Sequence, residues 1–208
     1  MIQYDPSLYI RDTVVKECDI YQFKQGCNMT IRLIKKREYD IIQDDPVRPH
    51  IPIEDRVAIG NEVYVMENDK HIDAVLCISY MNQVPEDEYQ MKQFNQAAYQ
   101  EGQRGNIAVF YTIWSNKKGM GREMVLQGIE TLKKKKPHIK RFVTLSPINQ
   151  MATNFHTSNG ATLIGMKKGH IINGKETPGY QNFEYEEPIK TSTKPAAKKS
   201  IWDKLLGR

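Results

Sequence analysis

The sequence predicts a mixed α/β domain of the α+β kind, in which strands and helices share one layered unit. Three observations carry that expectation. From residue 61 onward, β-branched and aromatic segments recur, separated by turn signals. Two stretches between them, before Pro137 and across Asn149–Ser158, have helical character. One strand-like segment, Ile107–Trp114, carries no charge and belongs at a sheet centre, where both faces are covered.

The elements follow in order. Ile20, Phe23, Cys27, Ile31 and Ile34 recur at spacings of 3, 4, 4 and 3, which predicts an amphipathic helix across Asp19–Lys35. Residues 44–52 hold three prolines and read as a loop. Asn61–Met66 and Ile72–Met81 flank the turn residues Glu67-Asn68-Asp69-Lys70 and read as a hairpin. The polar stretch 82–105 reads as an excursion with a short helix. After the strand Ile107–Trp114, a glycine-bearing loop leads into a helix with Met124, Val125, Ile129 and Leu132 on one face, stopped by Pro137-His138. Arg141–Ser146 is a strand and Asn149–Ser158 a helix closed by Asn159-Gly160, a left-handed C-terminal signal. Ala161–Met166 and Tyr180–Tyr185 are strands around the turn-rich stretch 167–178.

The 208 residues suffice for one domain with a sizeable core. The expected organisation is one domain over 1–187, with a divergent part at 1–60, a core at 61–187 and a flexible basic tail at 188–208. With 39% hydrophobic and 26% charged residues, and no apolar run of membrane-spanning length, the chain reads as soluble. No secretory signal is apparent, and Cys18, Cys27 and Cys77 have neither disulfide-framework nor zinc spacing. A reducing, cytoplasmic setting is expected. The net charge of +5 resides in the tail, because residues 1–187 balance at 24 basic and 24 acidic side chains. A neutral body argues against a nucleic-acid-binding fold. Lys133–Lys136 fits a helix C-terminus, where cations complement exposed carbonyls.

The first chemical signal is strand, then Lys117-Lys118-Gly119-Met120-Gly121-Arg122, then helix. Glycines at a helix mouth let backbone N–H groups approach an anion, and the helix dipole and flanking cations favour negative charge. A pyrophosphate suits that place; an ordinary turn is the plain alternative. The second signal is Asn149-x-x-Ala152-x-x-Phe155-His156-x-x-x-Gly160-Ala161.

With these two motifs the chain resembles the GNAT acyltransferase superfamily, whose R/Q-x-x-G-x-G/A loop cradles the CoA pyrophosphate. A later helix of that superfamily reads N-x-x-A-x-x-L-Y-x-x-x-G-F, and its tyrosine protonates the CoA thiolate. Gly119 and Gly121 fall on the first pattern, and Asn149, Ala152, Phe155, His156, Gly160 and Ala161 on the second. Asn116 stands where Arg or Gln is usual, and His156 where Tyr is usual. The resemblance implies a mostly antiparallel sheet flanked by helices, with strands 107–114 and 141–146 adjacent, parallel and splayed at their C-terminal ends. It also implies CoA binding by Lys117, Lys118, Gly119, Met120, Gly121, Arg122 and Asn149.

A narrower resemblance overlies it. Phe110-Tyr111-Thr112-Ile113, Pro137-His138-Ile139, Thr144-Leu145-Ser146-Pro147 and Asn154-Phe155-His156 look like the catalytic domain of malonyl-CoA decarboxylase. That family's catalytic serine and histidine match Ser146 and His156. Its site-lining hydroxyl and glutamate match Thr112 and, with a one-residue gap, Glu123; first-turn dipole compensation is the plainer role for Glu123. The family's long insertion is absent, and its helical domain has no room here. Short GNAT-like proteins of phages are also similar, which would place the chain in a host cytoplasm or a virion.

The resemblance implies acetyl-CoA or malonyl-CoA as acyl donor or substrate. Acyl transfer from CoA to an unidentified amine comes first, because the fold most often hosts it. Malonyl-type decarboxylation by Ser146 and His156 is the alternative, and a non-catalytic structural or virion-associated module is the third. Amine acetylation needs a base or a water relay, and Ile107–Trp114 has no carboxylate; decarboxylation needs no base. In the tail, Ile201, Trp202, Leu205 and Leu206 share one face of a short amphipathic segment that suits a protein partner or packs back on its own domain.

Overall fold

The computed structural model describes residues 29–69, 71–100, 104–172 and 175–186. The tail segment, Cys18, Cys27 and most of the predicted N-terminal helix lie outside the described residues. Where that helix prediction can be compared, it is corrected: Met29–Leu33 is a strand, β1. Met-Thr-Ile-Arg-Leu alternates apolar and polar, so Met29 and Ile31 pack on the core while Thr30 faces water. The Ile31-to-Ile34 spacing of a helix face is also compatible with this strand, and sheet pairing decides between the two.

The main sheet has seven strands in the order β1-β2-β3-β4-β5-β9-β6. β2 (Asn61–Asn68) and β3 (His71–Met81) form the expected hairpin. β4 (Ile107–Ser115) takes the central place, as its uncharged sequence predicts. β5 (Arg141–Pro147), β6 (Ala161–Lys167) and β9 (Tyr180–Tyr185) complete the sheet. The turn-rich stretch contains a separate ribbon, β7 (Ile171–Ile172) with β8 (Lys175–Glu176).

Helices cover both faces. α1 (Asp40–Gln43), α2 (Ile53–Arg56) and α3 (Glu88–Gln100, the helix expected within 82–105) contribute Ile42, Ile53, Met91 and Phe94 to one face. α4 (Met120–Lys135) covers the other with Met120, Met124, Val125, Ile129 and Leu132, joined by Phe155 of α5 (Gln150–Ser158). The lysines ending α4 are engaged rather than free. Lys136 pairs with Glu62 at 2.9 Å and lies over the Tyr80 ring, while Lys133 lies over Phe142.

Two irregularities at the sheet centre shape the site. Between β3 and β4, Cys77 pairs with Thr112 and Ile78 with Phe110, so Tyr111 is an extra, bulged residue. β4 and β5 run parallel and pair from Ile107↔Arg141 to Phe110↔Thr144. Both strands continue beyond that point without pairing, to Ser115 and Pro147. They are adjacent, parallel and splayed at their C-terminal ends.

Candidate active site

A cleft of about 320 Å³ opens at that splay. Phe110, Ile113 and Trp114 of β4, Ser146 of β5, and Met151, Phe155 and His156 of α5 line it. Gly121 in α4 and Arg48 in the loop after α1 also line it.

Ser146 and His156, ten residues apart in sequence, meet here. Ser146 Oγ lies 2.8 Å from His156 Nε2, and His156 Nδ1 lies 2.8 Å from the Tyr185 hydroxyl. The Ser146 hydroxyl also lies 3.4 Å from Thr144 Oγ1. His156 reaches this position because Asn149 caps α5: its Oδ1 accepts from the Ala152 N–H at 2.7 Å, which fixes the first turn. The imidazole is stacked on Phe183 at 4.9 Å and meets the edge of Phe155 at 5.0 Å. Burial in these aromatic surroundings lowers its pKa to about 4. Burial likewise pushes the Tyr185 phenol well above its usual range. In the free cleft at neutral pH the line Ser146–His156–Tyr185 is therefore uncharged.

That shift has a stability consequence. An unfolded histidine titrates near 6.5, so between pH 6.5 and about 4 the unfolded chain binds a proton that the folded chain excludes. Stability falls as pH drops through this window, by up to roughly 3 kcal/mol from this group, and the group contributes nothing above pH 6.5. An NMR titration is expected to show the His156 ring still neutral at pH 5.5. A midpoint near 6.5 would contradict the dry environment.

The other sequence-selected residues are placed as follows. Thr112 is buried, its Oγ1 has no hydrogen-bond partner, and it does not line the cleft, whereas its neighbours Tyr111 and Ile113 do. Glu123 lies in the first turn of α4, accepts from Gln127 Nε2 at 3.1 Å and sits 3.5 Å from Arg122. It is not part of the cleft wall either. Lys118 and Arg122 are exposed, Met120 is buried, and Lys117 pairs with Asp73 at 3.8 Å. Gly119 is the N-cap of α4, with φ of 84° and no side-chain cap, so the first-turn N–H groups face outward with no capping side chain. A Cβ built at Gly119 meets nothing within 4 Å, so the helix mouth is open. The residues present therefore fit a pyrophosphate. Tyr185, which bonds to His156, and Arg48, in the cleft wall, carry no local motif.

Among solved structures, this architecture is that of the GNAT acetyltransferases. A Bacillus subtilis acetyltransferase in complex with CoA matches with a TM-score of 0.50 at 14% identity, over 77% of this chain and 99% of that one. A GNAT family acetyltransferase from Elizabethkingia anophelis with acetyl-CoA bound matches with a TM-score of 0.50 at 15% identity, over 76% and 98%. A chimeric spermidine N-acetyltransferase from Vibrio cholerae matches with a TM-score of 0.52 at 13% identity, over 75% and 94%. At these identities the likeness defines the fold. No curated protein matches the chain. The sequence model of the malonyl-CoA decarboxylase C-terminal domain matches residues 41–202, and the chain belongs to that family. Among the described residues, no helix is long and apolar enough to cross a membrane.

Proposed function

We propose that the chain acts on an acyl-CoA thioester and that its reaction is decarboxylation of a malonyl-type acyl group. The observation that carries this reading is the buried Ser146–His156–Tyr185 line at the wall of a cleft that, among the described residues, has no carboxylate in its lining. The family match supports it. In the reaction the bond between the α-carbon and the carboxylate carbon breaks, CO₂ leaves, and the electron pair enters the thioester enolate. The enolate carbon then takes one proton.

The chain's own groups suit these needs. The pyrophosphate rests on the backbone of residues 117–122, and the apolar walls exclude water around a carboxylate that must lose its charge. An incoming carboxylate favours the imidazolium form of His156, which burial alone disfavours. The proton is thus taken up with the substrate and delivered through Nε2 and the Ser146 hydroxyl.

Acyl transfer to an amine is the second reading. Two of the similar structures hold CoA or acetyl-CoA, and His156 occupies the helix position of the thiolate-protonating residue in the GNAT pattern. Incubation with malonyl-CoA, and with acetyl-CoA plus a panel of amines, followed by mass, separates the two. Acetyl-CoA formed from malonyl-CoA supports decarboxylation, free CoA formed only with an amine supports transfer, and no turnover of either overturns the reading.

The placement of CoA has its own test. A Cβ at Gly121 meets Ser115 Oγ at 3.5 Å and Phe155 at 3.7 Å, which are ordinary contacts, so Gly121→Asp is expected to fold. Its carboxylate stands where the anion must lie. Loss of CoA binding by calorimetry, with an unchanged melting temperature, is expected; wild-type affinity would remove the pyrophosphate from this loop. Gly119→Asp is a poorer test, because a φ of 84° strains any side chain there.

A further inference from the structure

We propose that Arg48 is the residue by which the cleft selects an acyl group carrying its own carboxylate. This deepens the acyl-CoA reading above and rests on it. Among the described residues that line the cleft, Arg48 is the only permanently charged side chain, and it is 2% exposed. An anionic acyl substituent entering walls made of Phe110, Trp114, Met151 and Phe155 needs a counter-charge, and this guanidinium supplies one.

The guanidinium is held in place before any ligand arrives. One terminal nitrogen donates to the carbonyl of Tyr111, the bulged residue of β4, and the other donates to the Leu145 carbonyl of β5 at 2.7 Å. Arg48 therefore bridges the two strands just past the point where their own pairing stops. Its Nε donates to Glu88 Oε1 at 2.7 Å. Its backbone is fixed as well: Asp45 Oδ1 accepts from the Arg48 N–H at 3.1 Å, and Arg56 donates to the Arg48 carbonyl at 2.5 Å. Asp45 in turn pairs with the buried Arg56 at 2.6 Å.

Donor arithmetic leaves room for a ligand. A guanidinium has five N–H groups. Three are used by Tyr111, Leu145 and Glu88, so each terminal nitrogen keeps one. Two donors remain for the oxygens of a carboxylate. Glu88 is a competing anion: although burial alone would raise its pKa, His50 and Arg48 hold its carboxyl below the usual range. It remains ionised and weakens, without cancelling, the attraction for a second carboxylate.

The carboxylate loses its charge as CO₂ leaves, so these charge-assisted bonds favour the bound state, and they lower KM without raising kcat. The test compares the binding of malonyl-CoA, acetyl-CoA and free CoA to the wild type, Arg48→Gln, Arg48→Lys and Glu88→Gln by calorimetry, with melting temperatures alongside. The wild type is expected to prefer malonyl- over acetyl-CoA by about 10- to 100-fold, the worth of one or two charge-assisted bonds. Arg48→Gln should lose that preference and keep its affinity for free CoA, and Arg48→Lys should restore part of it. In turnover, the loss should appear in KM more than in kcat.

Arg48→Gln leaves two carbonyls without a donor, so its folding is not assured. Glu88→Gln decides the matter in that case. It keeps the guanidinium and removes the competing charge, so the malonyl preference should rise several-fold, by about one weakened ion pair. Equal wild-type affinity for malonyl- and acetyl-CoA, or an unchanged or reduced preference in Glu88→Gln, overturns the role of Arg48 while leaving the thioester site intact. Failure of the wild type to bind any of the three ligands overturns both readings together.

Discussion

Replacing His156 by alanine is expected to lower turnover of malonyl-CoA by ~10²–10⁴-fold, the usual contribution of a general acid or base. The imidazole is the one group in the cleft that can take up a proton when an anion arrives and hand it on. Its two nitrogens are both committed, to Ser146 and to Tyr185, so no neighbouring side chain can turn into its place. The phenol of Tyr185 cannot substitute, because burial holds its proton tightly. Removing a ring packed between Phe183 and Phe155 also leaves a cavity, so the melting temperature should fall. Calorimetric binding of free CoA separates the effects. The backbone of residues 117–122 makes no hydrogen bond to His156, so the affinity for free CoA should not change. A folded, CoA-binding His156→Ala protein with wild-type turnover would take the histidine out of the chemistry.

Ser146→Ala is expected to cost decarboxylation roughly 10- to 100-fold, the value of one hydrogen bond to a charged group, and acetyl transfer only a few-fold. The hydroxyl stands between His156 Nε2 and the cleft, with Thr144 Oγ1 as a second neighbour. In decarboxylation it both donates to the anion and passes the proton to carbon. In transfer there is no carboxylate to hold, so losing the hydroxyl costs less. Rates measured on the same preparation with malonyl-CoA, and with acetyl-CoA plus an amine, give the two ratios. Equal small losses in both would leave Ser146 an ordinary strand residue.

The strands that build the site were legible because their signals are local and strong. Ile107–Trp114 is apolar without interruption, and only a central strand covered on both faces tolerates that. The β2–β3 hairpin and the α5 cap at Asn149 are equally local. β1 differs from the helix that the spacing of Ile20, Phe23, Cys27, Ile31 and Ile34 predicts, because only Ile31 of that set lies in the strand and pairing with β2, which no local rule contains, decides its conformation. The convergence of Ser146 and His156 could be anticipated from two motifs separated by one tight loop. Their partners could not. Tyr185 reaches His156 through the position of β9 beside β5 and β6, and Arg48 arrives from a proline-rich loop 97 residues before Leu145. Neither has a local neighbour that marks it as functional. Thr112 was selected by its sequence position after Phe110-Tyr111, but its hydroxyl is enclosed and not in the wall of the cleft. The bulge at Tyr111 shifts the alternation of β4, and a bulge is set by the partner strand rather than by the residues themselves.

In the proposed reaction this cleft breaks the bond between the α-carbon and the carboxylate of a malonyl-type thioester and protonates that carbon. Turnover of malonyl-CoA by the full chain in D₂O, followed by mass, tests it most directly. The expected product is acetyl-CoA carrying deuterium at the α-carbon, formed together with CO₂ and ~10²–10⁴-fold more slowly in His156→Ala. Malonyl-CoA that is recovered unchanged, or that gives only free CoA and malonate, would contradict it.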